Sequence, residues 1–401
     1  MPPERREPGP GGIGGGRSRL GGTGRRAALI TAAVAVLGAC SGSGPQSALT
    51  PEGPIARQID DLWDLVFVLA VIVFVLVMAV FAVSIFRFRE RKHDTREPRQ
   101  IHGNTPLEIS WTVLPAVLLA VLAVPTVRGI FEVRAAAEGP DVIQVNVTGH
   151  QWWWEFEFPD MVSDDGRTLV TANELHIPAG VKVQLNMTSR DVIHSFWVPP
   201  LNGKRDVVPG RISQLVLEAD AEVADKDFGF GPGIIPGQCA EFCGLAHADM
   251  RLRVFVQSPA DFEAWAAAQL EPVPIPTEGA AAAGYETFNS TCTTCHRAVV
   301  ADADGAVTTL GAERTLEVDG VTFLDQFGPD LTHFGGRSTL GAAILENSEE
   351  HLADWIDNPS DLKPMAPLRN DLEAGKVLGM PSYGIDAEQI AQLVEMLEAW
   401  Q

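Results

Sequence analysis

Two long apolar runs dominate the hydropathy pattern. From Leu62 to Phe86 almost every residue is apolar, and a second run extends from about Ile109 to Ile130. Each is long enough to cross the roughly 30 Å hydrocarbon core of a bilayer as a helix. Pro115 and Pro125 in the second run fit a membrane helix, because neighbouring helices satisfy the backbone groups a proline frees. Between the runs stand Arg87, Arg89, Arg91, Lys92, Arg96 and Arg99, against only Glu90, Asp94 and Glu97. A basic excess in a short loop marks the cytoplasmic side. The pattern predicts a transmembrane helix hairpin over 62–130 with both ends outside the cytoplasm.

Beyond residue 131 the period shortens to two. Val142–Val147, Glu174–Ile177, Val181–Asn186 and Gln214–Leu217 alternate as strands do. With Gly, Pro and Asp turns between them, they predict a β-sandwich or barrel over 131–270, closed by a short helix near 259–268. Residues 271–283, rich in Pro and Ala, read as a flexible linker. A last domain covers 284–401, and its final stretch carries Ile390, Leu393, Val394 and Leu397 at helical spacing.

The N-terminal 40 residues follow another logic. Residues 1–26, rich in Gly, Pro and Arg, read as disordered, and Arg25 and Arg26 then precede a short apolar run, Ala27 to Ala39. That is the charge-then-apolar order of a signal peptide. The run ends in Leu37-Gly38-Ala39-Cys40, which resembles a bacterial lipobox, with Cys40 lipidated as the mature N-terminus. The alternative is an ordinary signal sequence with an incidental cysteine. Residues 41–61 then form a polar tether. An exported Cys40 agrees with the topology set by the basic loop.

Charge and cysteine placement narrow the chemistry. A net charge of −22 over 401 residues argues against nucleic acid as partner, since phosphate binding needs a basic surface. It suits steering of a basic protein instead. Four of the five cysteines form two tight pairs, Cys239/Cys243 and Cys292/Cys295, each with a histidine nearby. Such clustering points to metal ligation or covalent attachment rather than a disulfide framework.

Cys239-Ala-Glu-Phe-Cys243-Gly-Leu-Ala-His247-Ala-Asp-Met250 concentrates two thiols, an imidazole and a thioether. Soft sulfur with imidazole selects copper or zinc, and the thioether favours a copper electron-transfer site. Two close thiolates suffice to bridge two copper ions, each then needing one histidine. The second histidine must come from elsewhere, and His194 in Asp191-Val-Ile-His194-Ser-Phe lies at the end of a strand pattern. A zinc site or a disulfide is the alternative.

Together with the membrane pair, His102-Gly-Asn-Thr-Pro-Leu-Glu108-Ile-Ser-Trp111 and Gly149-His-Gln-Trp-Trp-Trp154, these segments resemble subunit II of cytochrome c oxidase over roughly residues 60–260. The resemblance implies a cupredoxin-like β-barrel holding a binuclear CuA centre. Cys239 and Cys243 would bridge the coppers. His194, His247 and Met250 would complete the set, with Glu241 binding through its backbone carbonyl. It also implies a magnesium site at the Glu241 side chain shared with subunit I, and electron entry at Trp152. Three consecutive tryptophans, 152–154, on a polar protein read as a surface-exposed aromatic stack, with plain core packing as the alternative. Glu108 would be the mouth of a proton channel, or simply a carboxylate favoured by a helix N-terminus.

Cys292-Thr-Thr-Cys295-His296 is the attachment signature of c-type haem, with His296 as proximal ligand. A zinc module shares the spacing, but export favours haem. Residues 284–401 look like an all-α class I cytochrome c domain. The sixth iron ligand would be Met380, in Gly379-Met-Pro-Ser-Tyr383, or alternatively Met365, in Lys363-Pro-Met-Ala-Pro367; His333 is a further competitor. Residues 300–325 exceed what a compact haem domain needs and predict an insertion. The expected function is subunit II of a haem–copper oxidase in a bacterial cytoplasmic membrane, with a fused haem c donor. Its partners would be subunits I and III and an external cytochrome c or bc1-type complex. A CuA-containing nitric oxide reductase, a nitrous oxide reductase-like enzyme and a membrane-anchored copper chaperone are the rival readings.

Overall fold

The computed structural model describes residues 44–89, 100, 102–365 and 379–401. Cys40, the signal segment and most of the basic loop lie outside the described residues.

Helix α1 spans Pro54–Arg87 and α2 spans Thr105–Arg134. Both are apolar and long enough to cross a membrane. Both outrun the apolar runs in the sequence, because polar first turns add to each. The tether expected over 41–61 is therefore shorter: Pro54 begins a helix, and Glu52 ahead of it is buried. The Glu52 N–H donates to Pro200 O at 2.8 Å and its carbonyl accepts from Asp220 N at 2.9 Å, so the chain enters the helix already seated on the β domain. Asn104 caps α2 by accepting from Leu107 N.

The β domain contains ten strands: β1 Ile143–His150, β2 Trp153–Val162, β3 Thr168–Ala172, β4 Glu174–Pro178, β5 Val183–Ser189, β6 His194–Trp197, β7 Arg205–Val207, β8 Ser213–Leu217, β9 Ile234–Cys239 and β10 Arg251–Gln257. They form two five-stranded sheets, ordered β3-β2-β1-β5-β8 and β4-β10-β9-β6-β7. Pairing is antiparallel except for β1–β5 and β4–β10. Phe156, Phe158, Leu175, Ile177, Leu185, Met187 and Phe196 pack between the sheets, all essentially inaccessible. Helix α3, Pro259–Leu270, capped by Ser258, closes the domain as its sequence predicts.

The C-terminal unit departs from an all-α domain. Helices α4 Gly279–Thr291, α5 Glu349–Asp357, α6 Pro359–Leu362 and α7 Ala387–Ala399 are present. The first and last cross closely around Phe288, Leu393, Leu397 and Trp400. Seven short strands accompany them: β11 Val273–Pro274, β12 Ala298–Ala301, β13 Val307–Leu310, β14 Thr315–Val318, β15 Val321–Leu324, β16 Thr339–Leu340 and β17 Leu345–Glu346. The expected insertion at 300–325 is thus a set of hairpins. The linker expected at 271–283 is not free chain: Val273 is buried in a parallel pairing with Val300, and α4 already starts at Gly279.

Contacts across the two domains are polar and specific. Asn146 Nδ2 donates to Thr322 O (3.4 Å) and Thr148 Oγ1 to Leu324 O (3.0 Å). The outward face of β1 is therefore buried as well as its core face.

Candidate metal centre

Three backbone elements deliver the candidate ligands. His194 opens β6, Cys239 closes β9, Cys243 and His247 lie in the loop that follows, and Met250 ends that loop just before β10. Sheet hydrogen bonds fix the geometry: Cys239 N donates to Met250 O at 2.9 Å, and Ala240 N to Ser195 O at 2.8 Å. The thiols of Cys239 and Cys243 are 3.8 Å apart and unbonded. His194 Nδ1 lies 3.9 Å from Cys239 Sγ, His247 Nδ1 3.6 Å from Cys243 Sγ, and Met250 Sδ 3.8 Å from Cys243 Sγ. The Glu241 carbonyl oxygen is 3.2 Å from Cys239 Sγ, while its side chain is exposed. His194, Cys239 and Cys243 are all buried and bring their ligand atoms together.

The electrostatics set the two thiols apart. The hydrogen bond from Cys243, followed by one from His194, pulls the Cys239 thiol far below its ordinary range, while the same pairing drives Cys243 upward. The pairing favours the thiolate at Cys239, and a cation bound between the sulfurs would favour deprotonation of Cys243 as well. His194 Nε2 is 2.9 Å from Asp191 Oδ1, leaving Nδ1 toward the sulfurs. Burial opposes charging of His194, but the Asp191 and Cys239 hydrogen bonds outweigh it and raise its pKa. A carboxylate on the far nitrogen is how a metal-binding imidazole is held in one tautomer. Gly149 permits this packing, since a Cβ there would stand 2.9 Å from His194 Cδ2. Two thiolates, two imidazoles, a thioether and a carbonyl fit copper.

Asp191 is a functional residue that sequence reasoning quoted but left without a role; its spacing of three from His194 is the available signal. Gln151 is a second, donating from Nε2 to Cys243 O at 2.6 Å and from its backbone to Asp191 Oδ2 at 2.7 Å.

The three tryptophans are not a surface stack. Trp152 is 3% exposed, Trp153 8% and Trp154 0%. Trp153 stacks on His150 at 4.1 Å, and Trp154 packs edge-on against His194 and Phe196. Trp152 Nε1 donates to Cys243 O at 3.0 Å, which ties its ring to the metal loop. Its own carbonyl accepts from Lys363 Nζ at 2.7 Å, so the C-terminal unit covers it. The expectation of exposure failed because a single strand pattern says nothing about a later segment folding over it.

In the C-terminal unit Cys292 and Cys295 are unpaired thiols, half-buried on the turn after α4. His296 Nδ1 lies 2.8 Å from Pro329 O, and burial holds its pKa below the usual histidine value. That leaves a neutral ring with Nε2 free, the form an iron ligand requires. Gly328 makes room for it, because a Cβ there would fall 2.8 Å from the ring. These residues fit covalent haem. Tyr383 OH is 3.9 Å from Cys295 Sγ, so the segment that follows Met380 lies against the attachment motif. Met365 is buried and adjoins Gly379, while Met380 is half-buried; residues 366–378 between them lie outside the described residues. His333 is no free ligand: its two ring nitrogens lie 2.9 Å from Gln401 O and 2.9 Å from Glu271 O. Glu108 sits in the first turn of α2 and accepts from Asn104 N at 3.2 Å, as a helix-start carboxylate does.

A membrane hairpin ahead of a β-sandwich with a buried His/Cys/Cys cluster is the layout of a membrane-bound metal-binding protein. Residues 46–128 match the cytochrome C oxidase subunit II transmembrane domain, and residues 143–257 match the cytochrome C oxidase subunit II periplasmic domain. Cytochrome c oxidase subunit 2 of Alkalihalophilus pseudofirmus is 36% identical over 329 residues, covering 81% of this chain and 85% of that one. The Bacillus subtilis protein of the same name is 31% identical over 348 residues, covering 84% and 90%. Quinol oxidase subunit 2 of Bacillus cereus is 32% identical over 234 residues, covering 57% and 75%. Among solved structures, the periplasmic domain of subunit II of cytochrome oxidase of Bradyrhizobium japonicum shares 25% identity, covers 34% of this chain and 96% of its own, and has a TM-score of 0.28. The chain belongs to the cytochrome c oxidase subunit II family, and is thus part of an oxidoreductase complex.

Proposed function

We propose that this chain relays electrons from a haem c in its own C-terminal unit, by way of Trp152, to a binuclear CuA centre held by His194, Cys239, Glu241, Cys243, His247 and Met250. From there they pass to the oxygen-reducing subunit I. The observation that carries this reading is the thiol pair at 3.8 Å with an imidazole on each sulfur. Two coppers there, and haem on Cys292, Cys295 and His296, would each supply a one-electron carrier. The protein's part is to hold the ligand atoms in place before metal binds and to keep water away, which lowers the reorganisation that accompanies electron gain. Trp152 bridges the two regions: its indole N–H reaches the Cys243 carbonyl while its own carbonyl is held by Lys363 of the C-terminal unit.

Some relatives are quinol oxidase subunits. The complete sulfur–imidazole set favours the copper relay, because a subunit fed directly by quinol in the membrane needs no metal carrier in its outer domain. The finer parts of the reading are these: Met380 as sixth iron ligand, magnesium at the Glu241 side chain, Glu108 as a proton-channel mouth, Cys40 as a lipid anchor in a bacterial cytoplasmic membrane, subunit III as neighbour, and an external cytochrome c or bc1-type complex as donor to the acidic outer surface.

His194→Ala in the assembled complex should remove the near-infrared copper absorption altogether while the haem spectrum persists. An intact near-infrared band would overturn the ligand assignment.

A further inference from the structure

Three contacts, widely separated in sequence, fasten the C-terminal unit to the β-sandwich. On β4, the buried Glu174 carboxylate accepts from Ser338 N (3.0 Å), Ser338 Oγ (2.7 Å), Thr339 N (3.0 Å) and Thr339 Oγ1 (2.8 Å). On the other sheet, β15 lies against β1 through the Thr322 and Leu324 carbonyls. Beside it Arg190 pairs with Asp325 and places its guanidinium 4.8 Å from the Phe327 ring centroid. Between these, Lys363, 2% exposed, donates to Trp152 O (2.7 Å) and to Gly341 O (3.1 Å).

Each contact makes sense only with the units together. A buried carboxylate is costly unless hydrogen bonds replace its water, and all four donors on Glu174 come from the other domain. The Lys363 ammonium likewise has one carbonyl partner in each unit. A domain swinging on a loose tether would leave such groups to alternate between water and burial.

We infer that the 322–327 strap, Ser338-Thr339 and Lys363 form one cooperative latch that keeps the C-terminal unit pre-docked over Trp152, with Glu174, Arg190 and Lys363 as positioning residues. The hairpin insertion, which a compact haem domain does not need, supplies the strap. A free donor protein then cannot reach Trp152 and must dock on the C-terminal unit. This inference rests on the proposed haem-to-copper relay for its meaning, but not for its test.

The test is reciprocal amide exchange in the intact complex, read by mass spectrometry. Arg190→Met should speed exchange at Ser338 and Thr339, and Glu174→Ala should speed it at Gln326, whose N–H faces Glu155 across the interface. Each remote effect should be about tenfold, the change expected when a shared opening equilibrium shifts by about 1.4 kcal/mol. Exchange confined to the mutated side would overturn the latch. If Glu174→Ala does not fold, the Arg190→Met arm decides alone. As a second readout, internal transfer to copper should be independent of added glycerol in the unmutated protein and become viscosity-dependent in Arg190→Met; viscosity dependence in the unmutated protein would refute pre-docking. A chain without covalent haem would refute the relay, and the exchange result would still decide the latch.

Discussion

The two candidate redox regions are built on opposite plans. At the copper site, ligands from β6, the end of β9 and the loop before β10 already stand within 4 Å of a neighbouring sulfur. The sheets hold them there by main-chain hydrogen bonds. In the C-terminal unit only one side is fixed, with Cys292, Cys295 and His296 on one turn and His296 locked by Pro329. In the proposed reading the opposite side would fall to Met380 or Met365, which flank the 366–378 segment. A site assembled from sheet backbone is largely preorganised before its metal binds. A site built around a large covalent group shares the ordering with that group, because the group is itself part of the core.

The comparison can be broken most sharply at the attachment motif. Replacing both Cys292 and Cys295 with Ala should eliminate covalent haem entirely, as a peroxidase stain on a denaturing gel would report, and should leave the near-infrared copper band in place. Loss of both signals would mean that the copper site is not independently organised. Next in size, Met380→Ala should abolish the Fe–Met charge-transfer band while Met365→Ala spares it. The reverse pattern would exchange their roles, and would fit the deeper burial of Met365. Trp152→Phe keeps an aromatic side chain but replaces the indole and loses its N–H to Cys243, and should slow internal reduction of copper by about tenfold, equivalent to about 1.4 kcal/mol of barrier. An unchanged rate in a stopped-flow trace would remove Trp152 from the path.

The effect most remote from electron transfer concerns acid stability of the β-sandwich. His176 is stacked between Phe255 and Trp265, and burial pulls its pKa down to about 4. The unfolded chain protonates this group near pH 6.5, the folded chain only near 4. Stability is therefore full above about pH 6.5 and falls by about 1.4 kcal/mol per pH unit as pH drops toward 4. His176→Phe should flatten that part of the denaturation profile. An unaltered acid slope would show that other groups set it.

Much of this was legible in the chain. The membrane hairpin follows from apolar length alone, since a bilayer imposes one requirement on every residue of a span. The metal loop is legible because five of its six candidate ligands fall within twelve positions, so that local chemistry points to a soft metal and favours copper. His194 is harder. Only the pairing of β6 with β9, Phe196 opposite Cys239, brings it to the thiols. The alternation of β1 is legible too, but only half of its consequence. Val145 and Val147 face the core as their period predicts, yet Asn146 and Thr148 are buried too, because a hairpin more than 170 residues later lies on them.

Sequence by itself determined the hairpin, the alternating strands, the sulfur-rich metal loop and the Cys292-x-x-Cys295-His296 spacing, each written in residues close enough to interact through local backbone geometry. Tertiary structure alone decided that the Pro- and Ala-rich 271–283 stretch is built into the fold, that the tryptophans are covered, and that Glu174 and Lys363 join two domains. Those outcomes depend on contacts between segments far apart in the chain. No local period encodes them, and a charged or aromatic side chain reads the same in sequence whether water or a second domain lies against it.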